Sequence, residues 1–125
     1  DKAESASAVA RLIEKEGVVA IIGSWGSGLS IPAGDLLKEN EIPAVACSAT
    51  NPLVTQGNDY YFRVCFIDPF QGTVAAKYAY NKLGAKTAAI IQEVSNDYAV
   101  GLATFFKQEF TRLTGDPNSV VEVSN

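Results

Sequence analysis

The feature that most constrains this chain is a set of short, unbroken aliphatic runs, each separated from the next by a segment of helical period. Residues 18–22 read Val-Val-Ala-Ile-Ile, residues 42–46 read Ile-Pro-Ala-Val-Ala, and residues 87–92 read Thr-Ala-Ala-Ile-Ile-Gln. Strands whose consecutive residues are all apolar are expected to be covered on both faces, which is the habit of parallel sheets. Strands alternating with helices specify βαβ units. The expectation is an α/β fold of three layers around a mostly parallel sheet.

The helices are delimited by ordinary signals. Residues 1–16 carry Ala6, Val9, Ala10 and Ile13 at helical spacing, Asp1 with Glu4 forms a capping box, and Gly17 stops the run. A second helix is expected from residues 27–31 to about 40, with Leu29, Ala33, Leu36 and Leu37 as its inward stripe. Residues 51–58 read as loop and residues 60–66 as a short strand containing Arg63, expected to pair with a carboxylate. Asp68-Pro69-Phe70-Gln71 marks a helix start with Asp68 as N-cap, and Gly84 ends that helix. The last helix runs from about 98 to 113 with Tyr98, Leu102, Phe105, Phe106 and Phe110 on its apolar face, Gly115 closes it, and residues 120–123 begin another strand.

Composition excludes several functions. A net charge of −4 over 125 residues, with no basic cluster, is unsuited to nucleic acid or anionic lipid. No apolar run approaches the roughly 20 residues that span a bilayer. With no His there is no usual general base, no Ser sits in Gly-x-Ser-x-Gly, and no carboxylate pair stands out, so no catalytic residues are expected. Two cysteines without a Cys-x-x-Cys pattern offer no metal site and no cofactor. Cys47 and Cys65 are expected as buried small hydrophobes, with a disulfide open if their strands are neighbours. The stretch opens on a helix, closes on a strand and carries no secretory leader, so it is expected to be a piece of a longer protein.

Ligands of open parallel sheets sit beyond the carboxyl ends of the strands. That rule singles out residues 24–28 (Ser-Trp-Gly-Ser-Gly), 48–51 (Ser-Ala-Thr-Asn) and 93–98. The first is not a dinucleotide fingerprint, because Gly-x-x-Gly-x-Gly has the wrong spacing, and no Gly-Lys-Ser/Thr follows. What remains is a generic anion-binding turn, with a plain βα turn as the alternative. The second offers two hydroxyls and loop amides suited to a carboxylate and an ammonium together, or else simply reverses the chain.

Taken in order, Val-Val-Ala-Ile-Ile-Gly, Ser27 with Pro32-Ala33, and Ile-Pro-Ala-Val-Ala-Cys-Ser-Ala-Thr-Asn-Pro resemble the type I periplasmic binding fold. So do Tyr-Phe-Arg-Val-Cys-Phe-Ile-Asp, Gln71-Gly72 and Asn-Asp-Tyr98-Ala-Val-Gly-Leu-Ala. Within that fold they resemble the leucine/isoleucine/valine-binding proteins of branched-chain amino acid ABC transporters. The resemblance implies two Rossmann-like lobes, both incomplete: residues 1–66 as part of the first, 67–125 as the start of the second, and a hinge crossing near 66–69. It implies an extracytoplasmic, non-enzymatic protein that binds an aliphatic amino acid between the lobes and hands it to a membrane permease. Ser27 and Thr50 would supply hydroxyls, the backbone at Ser48 and Ala49 amide and carbonyl groups, and Tyr98 a contact from the second lobe. Trp25 would narrow the side-chain pocket or pack on the lobe surface. Alternatives are a sensory or receptor domain of the same fold for an amino acid or amide, and a nucleotide-using enzyme. Pairing with a second copy stays open.

Overall fold

The computed structural model describes residues 1–124. Helix α1 (Lys2–Glu14) begins with the expected capping box: Asp1 accepts from the Glu4 N–H at 2.9 Å and the Glu4 carboxylate returns to the Asp1 backbone, a motif worth about 1 kcal/mol. Strand β1 (Ile21–Ile22) follows, then a helical segment in three pieces. These are α2 (Ser27–Ser30), a 3-10 turn (Ile31–Ala33) and α3 (Gly34–Glu39). The break coincides with Pro32, which has no N–H to donate and so favours a change of helix type. Strand β2 (Ala44–Ala46), a 3-10 turn (Pro52–Val54) within the expected loop, and β3 (Tyr61–Arg63) come next. The remainder is α4 (Asp68–Asn81), β4 (Ala88–Gln92), α5 (Asp97–Thr114) and β5 (Val120–Ser124). Asp68 is the first residue of α4, and the cap position falls to Ile67, an offset common at helix ends. Gly115 closes α5 in the left-handed conformation (φ 71°), where glycine alone is unstrained.

The chain divides into two compact units, Asp1–Cys65 and the residues from Phe66 onward. In the first, β1, β2 and β3 form a parallel sheet in that order. Its register places Ile21, Ala44 and Tyr61 in one row and Ile22, Val45 and Phe62 in the next. Successive side chains alternate faces, and only the first row meets the helices, joining Val9, Ala33, Leu37, Ala46 and Val54 in the core. The second unit repeats the scheme with β4 parallel to β5. Ala88, Ile90 and Val120 face the core of Ala76 and Phe110, and Ile91, Val121 and Val123 are exposed. Phe110, fully buried, stacks on Phe106 at 5.4 Å and meets the Tyr80 ring edge-on.

The parallel α/β architecture is therefore as expected, and two sequence readings are corrected. The aliphatic runs are not buried on both faces: Val19 and Ile22 are about four-fifths exposed, because the helices of each unit cover one side of its sheet. Cys47 is exposed and Cys65 half-buried, and both are free thiols. They lie just past the ends of neighbouring strands. Extending the Ala46–Arg63 register sets Cys47 beside Val64, so Cys65 belongs to the opposite face and the two cannot join without rearrangement.

Candidate functional site

Two of the three loops singled out in the sequence meet in the first unit, beyond the carboxyl ends of β1 and β2. Each reaches across to the other. The Asn51 N–H donates to Ser27 Oγ at 3.0 Å, and the Gly26 N–H donates to Ser48 Oγ at 3.2 Å. Ser27 is fully buried and Ser48 half-buried. The Ser30 hydroxyl donates to the Gly26 carbonyl at 2.8 Å and the Tyr61 hydroxyl to the Gly23 carbonyl at 3.1 Å, holding the first loop from beneath. Asn51 caps the following 3-10 turn by accepting from the Leu53 N–H at 2.9 Å. Small side chains at the strand ends permit this close approach of two backbones.

Thr50 stands out within this cluster. Its residue is only 7 % exposed, yet its Oγ1 is buried with no hydrogen-bond partner among the described residues. Leaving a hydroxyl unsatisfied costs about 1–3 kcal/mol, and native structures tolerate few such groups. Ala49 beside it is completely buried, and its carbonyl accepts from Arg63 Nη1 at 2.7 Å, with Cys65 Sγ 3.7 Å away. Arg63 is thus engaged with loop acceptors, not with the carboxylate expected from sequence. Trp25 is 80 % exposed, so it does not pack on the surface of its own unit. The α2 segment spans only four residues and no side chain caps it, so the anion-binding capacity read from sequence rests on individual N–H and O–H groups, with little contribution from a helix dipole.

The third loop belongs to the second unit. Asn96 caps α5 by accepting from the N–H groups of Tyr98 and Ala99, which fixes Tyr98 at the helix start. The Tyr98 hydroxyl accepts from Gln71 Nε2 of α4 at 3.0 Å. Both residues line an open concavity of about 420 Å³, floored by Ala75, Ile90 and Phe106. No sequence signal tied Gln71 to Tyr98, since they are distant in the chain and Gln71 reads as a capping residue. The signal for Arg63 was present: a lone cation in an aromatic and aliphatic strand must find several acceptors. Among the described residues no group of three His, Cys, Asp or Glu could hold a metal ion, and no helix is long and apolar enough to cross a membrane.

Comparison with known proteins bears on the fold and the family. The profile of periplasmic binding proteins matches residues 1–124. The chain belongs to that family. An amino acid binding protein of Pseudomonas aeruginosa is 36 % identical over 117 residues, covering 90 % of this chain and 31 % of that protein. The leucine-specific-binding protein of Salmonella typhimurium is 36 % identical over 101 residues, 80 % of this chain and 27 % of its own. Among solved structures, the leucine binding protein LivK of Thermotoga maritima superposes with a TM-score of 0.95 at 47 % identity, over 100 % of this chain and 35 % of that one. The LivJ substrate binding protein of Streptococcus pneumoniae, solved with isoleucine, gives 0.86 at 30 % identity, over 100 % of this chain and 34 % of its own. The chain thus spans about a third of the length of the relatives it matches.

Proposed function

We propose that this chain is part of an extracytoplasmic solute-binding protein that takes an aliphatic amino acid and delivers it to the permease of an ABC transporter. In this reading the ligand carboxylate is held by the Ser27 and Thr50 hydroxyls and by loop amides near Ser48 and Ala49, and loop carbonyls take the ammonium. Trp25 offers an apolar wall to the ligand side chain. The observation that carries the proposal is the buried, unpartnered Thr50 Oγ1 inside a pair of loops already joined through Ser27 and Ser48. A hydroxyl kept in that state is what a polar ligand would satisfy. Support for the ligand class comes from relatives named for amino acids, leucine and isoleucine.

The test is calorimetry with the twenty amino acids on the natural full-length polypeptide containing these residues. Trp25, the single tryptophan of this stretch, offers a fluorescence reading in parallel. Aliphatic amino acids are expected to bind, and Ser27→Ala or Thr50→Ala to weaken them about 10- to 150-fold, the value of a hydrogen bond to a charged group. Wild-type affinity in both variants overturns the assignment.

A further inference from the structure

We infer that Arg63 is a positioning residue for the ligand loop, fixing the orientation of the peptide on which Thr50 is mounted. The inference rests on the amino-acid reading given above. Arg63 ends β3, and its guanidinium reaches three acceptors on both sides of residues 50 and 51. Nη1 donates to the Ala49 carbonyl at 2.7 Å, and Nη2 donates to the Thr55 hydroxyl at 2.8 Å and the Pro52 carbonyl at 3.3 Å. One rigid, planar fork thereby spans both feet of the loop, a geometry that a single ammonium cannot reproduce.

The Ala49 contact has a specific consequence. In a trans peptide the C=O and the following N–H are coplanar and antiparallel. Drawing the Ala49 carbonyl onto Arg63 therefore directs the Thr50 N–H away from the guanidinium. Thr50 follows at once in the chain and carries the unpartnered Oγ1. No ion pair joins Arg63 to a carboxylate among the described residues, so its half-buried charge is met by neutral acceptors alone. The orientation of the Ala49–Thr50 peptide is thus set before any ligand arrives.

The experiment compares wild type, Arg63→Lys, Arg63→Gln and Thr50→Val, with the Arg63→Lys/Thr50→Val double variant, in the natural full-length polypeptide. Two readings are taken: leucine affinity by calorimetry, and amide exchange at residues 49–51 without ligand. Arg63→Lys is expected to raise loop exchange at least about tenfold while leaving the amides of β4 unchanged. It is also expected to weaken leucine by about tenfold or more in wild type and by much less once Thr50 is already Val. Arg63→Gln, which keeps donors and loses charge, is expected to weaken leucine further. Loop exchange at the wild-type rate in Arg63→Lys overturns the inference, and so do losses that multiply independently in the double variant. Failure of the wild type to bind any amino acid refutes the ligand reading, whereas the exchange result judges Arg63 by itself.

Discussion

Replacing Gly72 with alanine tests how tightly α4 and α5 are joined. Gly72 lies on the face of α4 that meets α5 and is buried. A Cβ there would stand 2.7 Å from Phe105 Cβ, 2.7 Å from the Phe106 N and 2.9 Å from the Phe105 carbonyl carbon. Two of these atoms are helix backbone, so no side-chain rotation relieves the clash. Ordinary contact begins near 3.4 Å, and the helices must separate by most of that shortfall, loosening Phe106 and Phe110 beneath. Overpacking of this kind costs about 1–3 kcal/mol, and contact with backbone puts this site at the upper end. Alanine returns about 1 kcal/mol in helix propensity, leaving a net loss of about 2 kcal/mol. Gly34→Ala is the control: its Cβ would meet only Asn58 Nδ2, at 3.5 Å, in helical geometry, so it should gain about 0.5–1 kcal/mol. Urea unfolding followed at 222 nm gives the free energies, and amide exchange along α4 and α5 localises the loss. Because Gln71 neighbours Gly72, the same shift should lengthen its 3.0 Å contact with Tyr98. A Gly72→Ala protein as stable as wild type would refute the close-approach argument.

Two further outcomes are expected. Thr50→Val removes a buried hydroxyl that has no partner, so urea unfolding should show stability unchanged or raised by up to about 1 kcal/mol, while calorimetry shows ligand affinity lowered about tenfold or more; a clear stability loss would mean the hydroxyl was satisfied. Glu109 receives a two-pronged bond from Arg112 at 2.8 Å, and this bond, then the nearby charges of Arg112 and Lys77, holds its carboxyl below the ordinary 4.5 against the opposing effect of desolvation. A lowered folded-state pKa contributes stability above the unfolded value and loses it as pH falls through the folded one. Urea unfolding from pH 7 to pH 3 should therefore decline less steeply at the acid end for Glu109→Gln than for wild type, and parallel curves would count against the pairing.

The order of elements was legible because each local signal agreed with the next. Asp1 with Glu4 and the αL glycine at 115 act through nearest neighbours and appear where pattern places them, and the aliphatic runs hold the strands, though β1 keeps only Ile21–Ile22 of residues 18–22. Exposure was not legible, since a valine such as Val19 looks the same in sequence whether or not a layer covers it. The meeting of the Ser27 and Ser48 loops followed from one topological rule about strand ends. Their cross-links did not, because which hydroxyl accepts from which N–H depends on the register of β1 against β2. Arg63 was misread for a related reason: a cation suggests a carboxylate, and three loop acceptors separated by up to six residues leave no periodic trace.

The direction of the two loop cross-links has a chemical consequence. Ser27 and Ser48 each receive a proton from a backbone N–H, so a lone pair on each oxygen is already committed. What each hydroxyl has left to give is its own hydrogen. Each oxygen keeps one further lone pair as well as its hydrogen, so the cross-links orient both hydroxyls without using up their capacity to donate. Neither hydroxyl titrates, so that orientation and that donating capacity persist across the whole range of pH in which the fold stands.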